Sequence, residues 1–179
     1  MPSTILKPTP SKTSNQPGET LYHWYHSPFG KLLLSGTQTA LSSVIFPNQQ
    51  PAPSDEWKQS PSAFTDTCKQ LDLYFAGKLK EFELQLAPAG TEFQQSVWRE
   101  LLNIPYGSTT SYAAIANKIG NAKAVRAVGG ANGRNPIPII IPCHRVIGSD
   151  GSLTGFGGGL PTKTFLLNLE NSEQLALPL

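Results

Sequence analysis

Between Asn135 and Cys143 the chain carries Pro136, Pro138 and Pro142, and this stretch cannot be helical. Each proline also pushes the residue before it out of the helical region. The reading is an extended approach, a strand or stiff loop, that ends on Cys143-His144-Arg145-Val146. The cysteine is one of only two in 179 residues. Thiol chemistry needs the thiolate, and neighbouring cationic groups favour it. The bland alternative is a small buried cysteine beside a surface basic pair, because free cysteine is among the most buried residue types. The surrounding sequence has to decide between the two.

Proline and glycine also divide the chain. Ala87-Pro88-Ala89-Gly90 reads as a boundary between an α/β domain over 19–87 and a mainly α domain over 90–179. Residues 1–18 are rich in Pro, Ser, Thr and Lys and lack an apolar core, so they read as a disordered tail and not a secretory signal. In the first domain, 21–25, 31–35 and 41–46 read as strands of a small antiparallel meander, with a turn at Ser27-Pro28-Phe29-Gly30. Residues 47–61 read as a loop. Phe64, Cys68, Leu71 and Phe75 recur at helical spacing over 62–76, which places Cys68 in the core and ends the helix at Gly77. Phe82, Leu84 and Leu86 alternate with polar residues and predict a further strand.

The second domain opens on Thr91 and Gln94 at capping-box spacing, with Phe93, Val97, Trp98 and Leu101 as the buried face. A short helix over 111–119 closes at Gly120. Asn121 then caps a helix from 122 to about 128, ended by Gly129-Gly130. Two short helices joined this way have helix-turn-helix spacing. The last helix, 161–170, starts on Pro161 and turns Phe165, Leu166 and Leu169 inward.

Net charge is only +2, so no global field announces nucleic acid. Between Ser111 and Ile147, however, the charged residues are Lys118, Lys123, Arg126, Arg134 and Arg145, with no acid among them. Such a segment suits phosphate, and equally the solvated face of an ordinary helical hairpin. No apolar run reaches about 18 residues, so no membrane span is expected. Two cysteines make no disulfide framework, which points to a reducing, cytoplasmic setting, nucleoid-associated if the cell is prokaryotic.

Taken together, Gly90-Thr91-Glu92-Phe93-Gln94 with Val97-Trp98, Ile104-Pro105-Tyr106-Gly107, Ser111-Tyr112, Arg126-Ala127-Val128-Gly129-Gly130-Ala131, Asn135-Pro136, Pro142-Cys143-His144-Arg145-Val146 and the Gly-rich 155–159 resemble the O6-alkylguanine-DNA alkyltransferase family. That family is also called the methylated-DNA–protein-cysteine methyltransferases. The resemblance is strong over 90–170 and loose before it. It implies a ribonuclease-H-like α/β domain, a small antiparallel sheet plus helix, followed by a mainly α winged helix-turn-helix that binds the DNA minor groove.

The resemblance also implies roles. Cys143 takes the alkyl group from guanine O6, His144 is the base through a water, and Glu170 orients His144. Asn135 ties the loop before the cysteine, and Tyr112 gives a proton toward the leaving guanine. Main chain at Cys143 and Val146 holds the base edge. Phe156 and Gly157 belong to the loop over the base, where many relatives carry Tyr and Ser. Thr154 narrows the pocket where some relatives have Gly. Arg126 enters the base stack, with Ala127, Gly129, Gly130, Ala131 and Ser111 on the DNA side. The expected partner is duplex DNA carrying O6-alkylguanine, with O4-alkylthymine as a further candidate, bound by a monomer without a cofactor.

No metal is expected. His23 and His26 are neighbours but Cys68 is isolated, and a tetrahedral zinc site wants four ligands. The Gly-rich loop lacks a phosphate-cradling pattern. Three other functions were open from the residues alone: a lesion binder without the nucleophile, a cysteine hydrolase, and a plain DNA-binding regulator. Cys143 argues against the first. A hydrolase places its histidine far from the cysteine in sequence, whereas here it is the next residue. The regulator has no use for Cys143, Tyr112 or Glu170.

Overall fold

The computed structural model describes residues 19–171; the tail expected over 1–18 and the segment 172–179 lie outside the described residues. The chain divides into two compact units, before and after the Ala89–Gly90 bond.

In the first unit β1 (Leu21–Ser27), β2 (Gly30–Gly36) and β3 (Leu41–Ile45) form the antiparallel meander. A fourth strand, β4 (Lys58–Gln59), pairs parallel to β1, so the sheet is mixed, in the order β3-β2-β1-β4. Two residues inside a Pro/Gln/Ser-rich loop carry no periodicity, which is why this strand was not legible. The segment with Phe82, Leu84 and Leu86 buries those three side chains but makes only a single bridge, Leu86 to Leu41. Leu41 N–H donates to Gln85 O at 2.9 Å and Ala87 N–H to Leu41 O at 2.8 Å, so pairing is confined to the first residue of β3.

Helix α1 (Thr65–Phe75) follows a 3-10 turn at Pro61–Phe64. Its buried residues are Thr67, Leu71 and Tyr74, and Cys68 is half-buried rather than in the core. Aromatic pairing rotates the face: the Phe75 ring meets Tyr25 at 6.3 Å and Phe29 at 5.6 Å, and the Tyr25 hydroxyl donates to Asp72 Oδ1 at 2.7 Å.

In the second unit α2 (Glu92–Leu102) starts with the expected box: Gln94 N–H donates to Thr91 Oγ1 at 3.2 Å, and Thr91 N–H to Gln94 Oε1 at 2.9 Å. Val97, Trp98 and Leu101 are buried, while Phe93 is half-buried. A Cβ on Gly90 would run into the Trp98 ring, so only glycine lets the chain enter here. β5 (Thr110–Ser111) leads into α3 (Tyr112–Lys118), capped by Ser111 Oγ, which accepts from Ala114 N–H at 3.1 Å.

The next helix departs from expectation. α4 spans Val125–Gly133 with Ala124 as its N-cap, so Asn121 does not cap it and Gly129-Gly130 lie within it. Asn121 instead closes a turn, its carbonyl accepting from Ala124 N–H at 2.9 Å. Two interior glycines cost about 1 kcal/mol each against alanine. Tertiary packing offsets this: Val128 and Ala131 are buried, and the Trp98 indole N–H donates to Ala131 O at 2.9 Å.

β6 (Val146–Ile147) pairs parallel with β5. The final helix is α5 (Leu160–Asn171). Phe165 is exposed and Leu169 half-buried, so the expected inward stripe holds only at Leu166. The buried face is Thr162, Leu166 and Glu170, spaced i, i+4, i+8, together with Lys163. Apolar periodicity missed it because most of this face is polar.

Candidate active site

The approach to Cys143 is not extended. Ile141 N–H donates to Ile137 O at 2.9 Å, closing a turn in which Ile139 has φ 75°. A β-branched residue there is strained, at a cost of about 1–3 kcal/mol. Ile137, Ile139, Ile140 and Ile141 are all buried. Each buried isoleucine contributes about 1.5–3 kcal/mol, which outweighs the strain. Asn135 clamps the turn: its Oδ1 accepts from Ile137 N–H at 3.0 Å and its Nδ2 donates to Ile141 O at 2.8 Å.

Cys143–Arg145 is one turn of 3-10 helix, not a strand, and Arg145 N–H donates to Pro142 O at 3.0 Å. Three residues per turn fan the three side chains apart, so Cys143 and His144 still do not share a direction. All three residues are buried. His144 Nε2 lies 2.8 Å from Glu170 Oε1. Arg145 grips the same carboxylate with two groups, Nε to Oε2 at 2.9 Å and Nη2 to Oε1 at 3.0 Å. Arg145 Nη1 donates to Ile104 O at 2.6 Å, and the guanidinium lies 5.8 Å from the Tyr106 ring centre. Gly107, at φ +73°, turns its N–H onto Glu170 Oε2 at 3.2 Å. The Ile-Pro-Tyr-Gly block thus supplies a carbonyl, a ring face and an amide around one buried ion pair.

Burial raises the Glu170 carboxyl, but hydrogen bonds and charge from His144 and Arg145 outweigh it and hold the group well below the usual carboxylate range. Burial pulls His144 below its ordinary 6.5 despite the opposing pull of Glu170, so the ring is neutral at pH 7. Glu170 has no proton to give, so the nitrogen facing it, Nε2, carries the hydrogen and Nδ1 carries the lone pair. Nδ1 is buried and, among the described residues, accepts from no protein group. The Cys143 thiol, 4 % exposed, is pushed up by burial to about 11; Asn135, Lys163 and the N–H groups of Cys143 and His144 pull the other way.

Lys163 was not singled out by sequence reasoning. Fully buried, it donates from Nζ to Val146 O at 2.7 Å and to Thr154 O at 3.2 Å. Its charge favours the Cys143 thiolate. Its spacing from Glu170 on the final helix, 163 to 170, was the available signal. Asn132 was also missed; its Nδ2 donates to Cys143 O at 3.4 Å.

Phe156 is half-buried with its ring edge-on to His144, centroids 6.5 Å apart, and Gly157 is exposed. The Tyr112 and Thr154 hydroxyls lie 2.7 Å apart. Both border a cavity of about 450 Å³ lined also by Val125, Arg126, Gly129, Gly133 and Gly155. Arg126 and Ala127 are exposed on α4, and Gly129 and Gly130 are half-buried. Ala131, expected on the DNA side, is buried, its carbonyl accepting from the Trp98 indole N–H at 2.9 Å. Lys118, Lys123 and Arg134 are exposed; Arg145 is spent on Glu170 and leaves the basic surface. Among the described residues no group of three or more His, Cys, Asp or Glu is placed to hold a metal ion.

Two family models match this chain. One, described as 6-O-methylguanine DNA methyltransferase, DNA binding domain, covers residues 92–172. The other, described as the ribonuclease-like domain of 6-O-methylguanine DNA methyltransferase, covers residues 20–88. The chain is 52% identical over 153 residues to a methylated-DNA–protein-cysteine methyltransferase of Methanosarcina acetivorans, covering 84% of this chain and 98% of that one. It is 51% identical over 153 residues to the protein of the same name from Mycobacterium tuberculosis, covering 85% and 93%. A crystal structure of Mycobacterium tuberculosis OGT in complex with DNA superimposes with a TM-score of 0.80 at 49% identity, over 85% of this chain and 93% of that one.

Proposed function

The chain belongs to the 6-O-methylguanine DNA methyltransferase family, and from that membership and the buried Cys143 site we propose that it repairs DNA by moving the alkyl group of O6-alkylguanine onto its own Cys143. The observation that carries this reading is the His144–Glu170 contact at 2.8 Å, which leaves Nδ1 of a neutral imidazole as an open proton acceptor in the residue next to the thiol.

At a thiol pKa of about 11, only about one molecule in ten thousand holds thiolate at pH 7. Removing the proton is therefore part of the reaction. His144 accepts it through a bridging water, and Glu170 stabilises the imidazolium. The arrangement has the logic of a nucleophile, a base and a group that orients the base. The thiolate attacks the alkyl carbon, the S–C bond forms as the O6–C bond breaks, and the electron pair stays on guanine. Tyr112 protonates the leaving base, which lowers the barrier.

The reacting oxygen lies inside the duplex, so the nucleotide must be extruded. The pair α3 and α4 acts as the helix-turn-helix, with β5 and β6 as its wing. Arg126, exposed on α4 and on the rim of the cavity, fills the space the base leaves. A thioether does not exchange with thiolates as a disulfide does, so each chain reacts once. The protein acts as a monomer where the cell keeps its DNA.

The test is incubation with duplex DNA carrying radiolabelled O6-methylguanine, followed by peptide mapping. The expected result is one methyl per chain, on the Cys143 peptide, and none in Cys143→Ala. Label on Cys68, or product formation beyond one per chain, would replace this reading.

A further inference from the structure

We propose that Thr154 is a positioning residue for alkyl transfer, its hydroxyl fixing the Tyr112 phenol and donating to the phenolic oxygen as that oxygen gives up its proton. The inference rests on the reading of Cys143 as alkyl acceptor. It gives Thr154 work through Tyr112, beyond shaping the pocket.

The geometry is specific. Tyr112 Oη and Thr154 Oγ1 are 2.7 Å apart across 42 residues of sequence, and either can donate. Both partners are held from behind. Tyr112 is the first residue of α3, directly after the Ser111 cap. Thr154 sits in an exposed loop, yet its carbonyl accepts from the buried Lys163 ammonium at 3.2 Å, and the same ammonium holds Val146 O at 2.7 Å. A loop fixed at its main chain by a lysine and reaching out with a hydroxyl is a built contact. Both hydroxyls border the cavity of about 450 Å³ that Arg126 also lines.

The chemistry follows from the electron count. As the S–C bond forms, the pair from the broken O6–C bond is left on guanine, and the phenol proton neutralises it. The thiol proton held by His144 then returns to the phenolate through solvent, and both groups are restored. During transfer the phenolic oxygen becomes negative. A neighbouring hydroxyl that donates to it favours that charged form. The same hydrogen bond leaves the phenol hydrogen pointed away from Thr154. Without that bond the phenol hydrogen can flip between its two in-plane positions about the C–O bond.

The experiment measures single-turnover methyl transfer to Cys143 from duplex DNA in wild type, Thr154→Val, Thr154→Ser, Tyr112→Phe and the Thr154→Val/Tyr112→Phe double variant. Valine keeps the shape and removes the hydroxyl. Because Thr154 is exposed, melting stays as in wild type, and rates are compared at saturating DNA so that binding does not enter. A hydrogen bond to a developing charge is worth roughly ten- to a hundredfold in rate, so Thr154→Val slows by that factor. Thr154→Ser restores the rate, and the double variant is no slower than Tyr112→Phe alone. A wild-type rate in Thr154→Val overturns the proposal, and so do losses that multiply in the double variant, because Thr154 would then act on the substrate directly. No transfer in the wild type would instead overturn the function reading beneath it.

Discussion

Replacing Glu170 by glutamine keeps the shape of the side chain and removes the charge on which the site converges. In the native protein its two oxygens accept from His144 Nε2 at 2.8 Å, Arg145 Nε at 2.9 Å, Arg145 Nη2 at 3.0 Å and Gly107 N–H at 3.2 Å. An amide offers one oxygen and turns an NH2 toward donors. Arg145, 6 % exposed, then keeps at most one bond to the amide oxygen beside the Ile104 carbonyl and the Tyr106 face, and loses its counter-charge. Stranding a buried charge costs about 3–5 kcal/mol. The pH dependence has a definite sign. The Glu170 carboxyl lies below its ordinary 4.5: burial raises it, and the His144 and Arg145 contacts more than reverse that. A depressed carboxyl stabilises the fold above its unfolded value and loses that contribution as pH falls. The share of the gap between wild type and Glu170→Gln that belongs to the carboxyl proton is therefore fully present above about pH 4.5. Below about pH 4.5 it narrows, by at most about 1.4 kcal/mol per pH unit for one proton. Urea unfolding followed by Trp98 fluorescence, with Trp24 and Trp57 changed to phenylalanine, reads this at pH 7 and pH 3.5. A loss below about 1 kcal/mol at pH 7, set against the 3–5 expected, would refute the reasoning. So would an equal loss at both pH values. Should Glu170→Gln not fold, adding Arg145→Met removes the stranded charge and is expected to recover stability.

Arg126→Ala is expected to slow transfer from duplex DNA far more than from a free O6-alkylguanine base; equal losses would place Arg126 in the chemical step or the fold. With Arg145 buried, four exposed cations remain, Lys118, Lys123, Arg126 and Arg134. If half of them reach phosphate, log K against log salt has a slope near −1.8, about 0.9 per phosphate, and a flat salt titration would contradict DNA binding. The methylated protein is expected to melt below the unmodified one, because Cys143 is 4 % exposed and packed interiors resist even one added carbon. Differential scanning calorimetry before and after reaction checks this, and an unchanged or higher melting temperature would show that the site has room.

The parts of the fold that were legible are those where local chemistry and tertiary packing agree. The Thr91–Gln94 box, the three-strand meander and the Gly120 stop each follow from side chains that act within a few residues. The parts that failed depend on partners far away in sequence. α4 runs through Gly129-Gly130 because Trp98 and the core hold it, which no local rule reports. β4 exists because β1 has a free edge beside two ordinary polar residues. The prolines before Cys143 exclude helix, as read, but the turn at Ile137–Ile141 is fixed by Asn135 and by four buried isoleucines. For the site, the local sequence pointed to Cys143 and its neighbours, and the resemblance supplied the roles expected of Cys143, His144, Glu170 and Tyr112. Arg145 read as one more surface cation, and only the fold places it on Glu170. Lys163 escaped because a lysine in an amphipathic helix ordinarily faces water.

The electrostatics of the site are arranged against idle reactivity, which suits a protein that reacts once. Burial is the largest influence on Cys143 and opposes the thiolate; Asn135, Lys163 and two main-chain N–H groups lessen that penalty without removing it. The neighbouring imidazole is held neutral by burial and receives a proton only when one is supplied. The cation nearest in sequence, Arg145, is spent on Glu170, the carboxylate that His144 faces, and is not among the groups that lower the Cys143 thiol. A permanently ionised cysteine, the usual solution where a thiol must turn over, is exposed to oxidants that attack the thiolate. In the proposed reaction the charge separation would be completed only as the alkyl carbon approaches: the proton would move to His144, and Glu170, already ionised, would stabilise the cation. On that proposal the ion pair that costs desolvation in the resting protein would have its largest favourable effect at the transition state, where electrostatic complementarity accelerates the step.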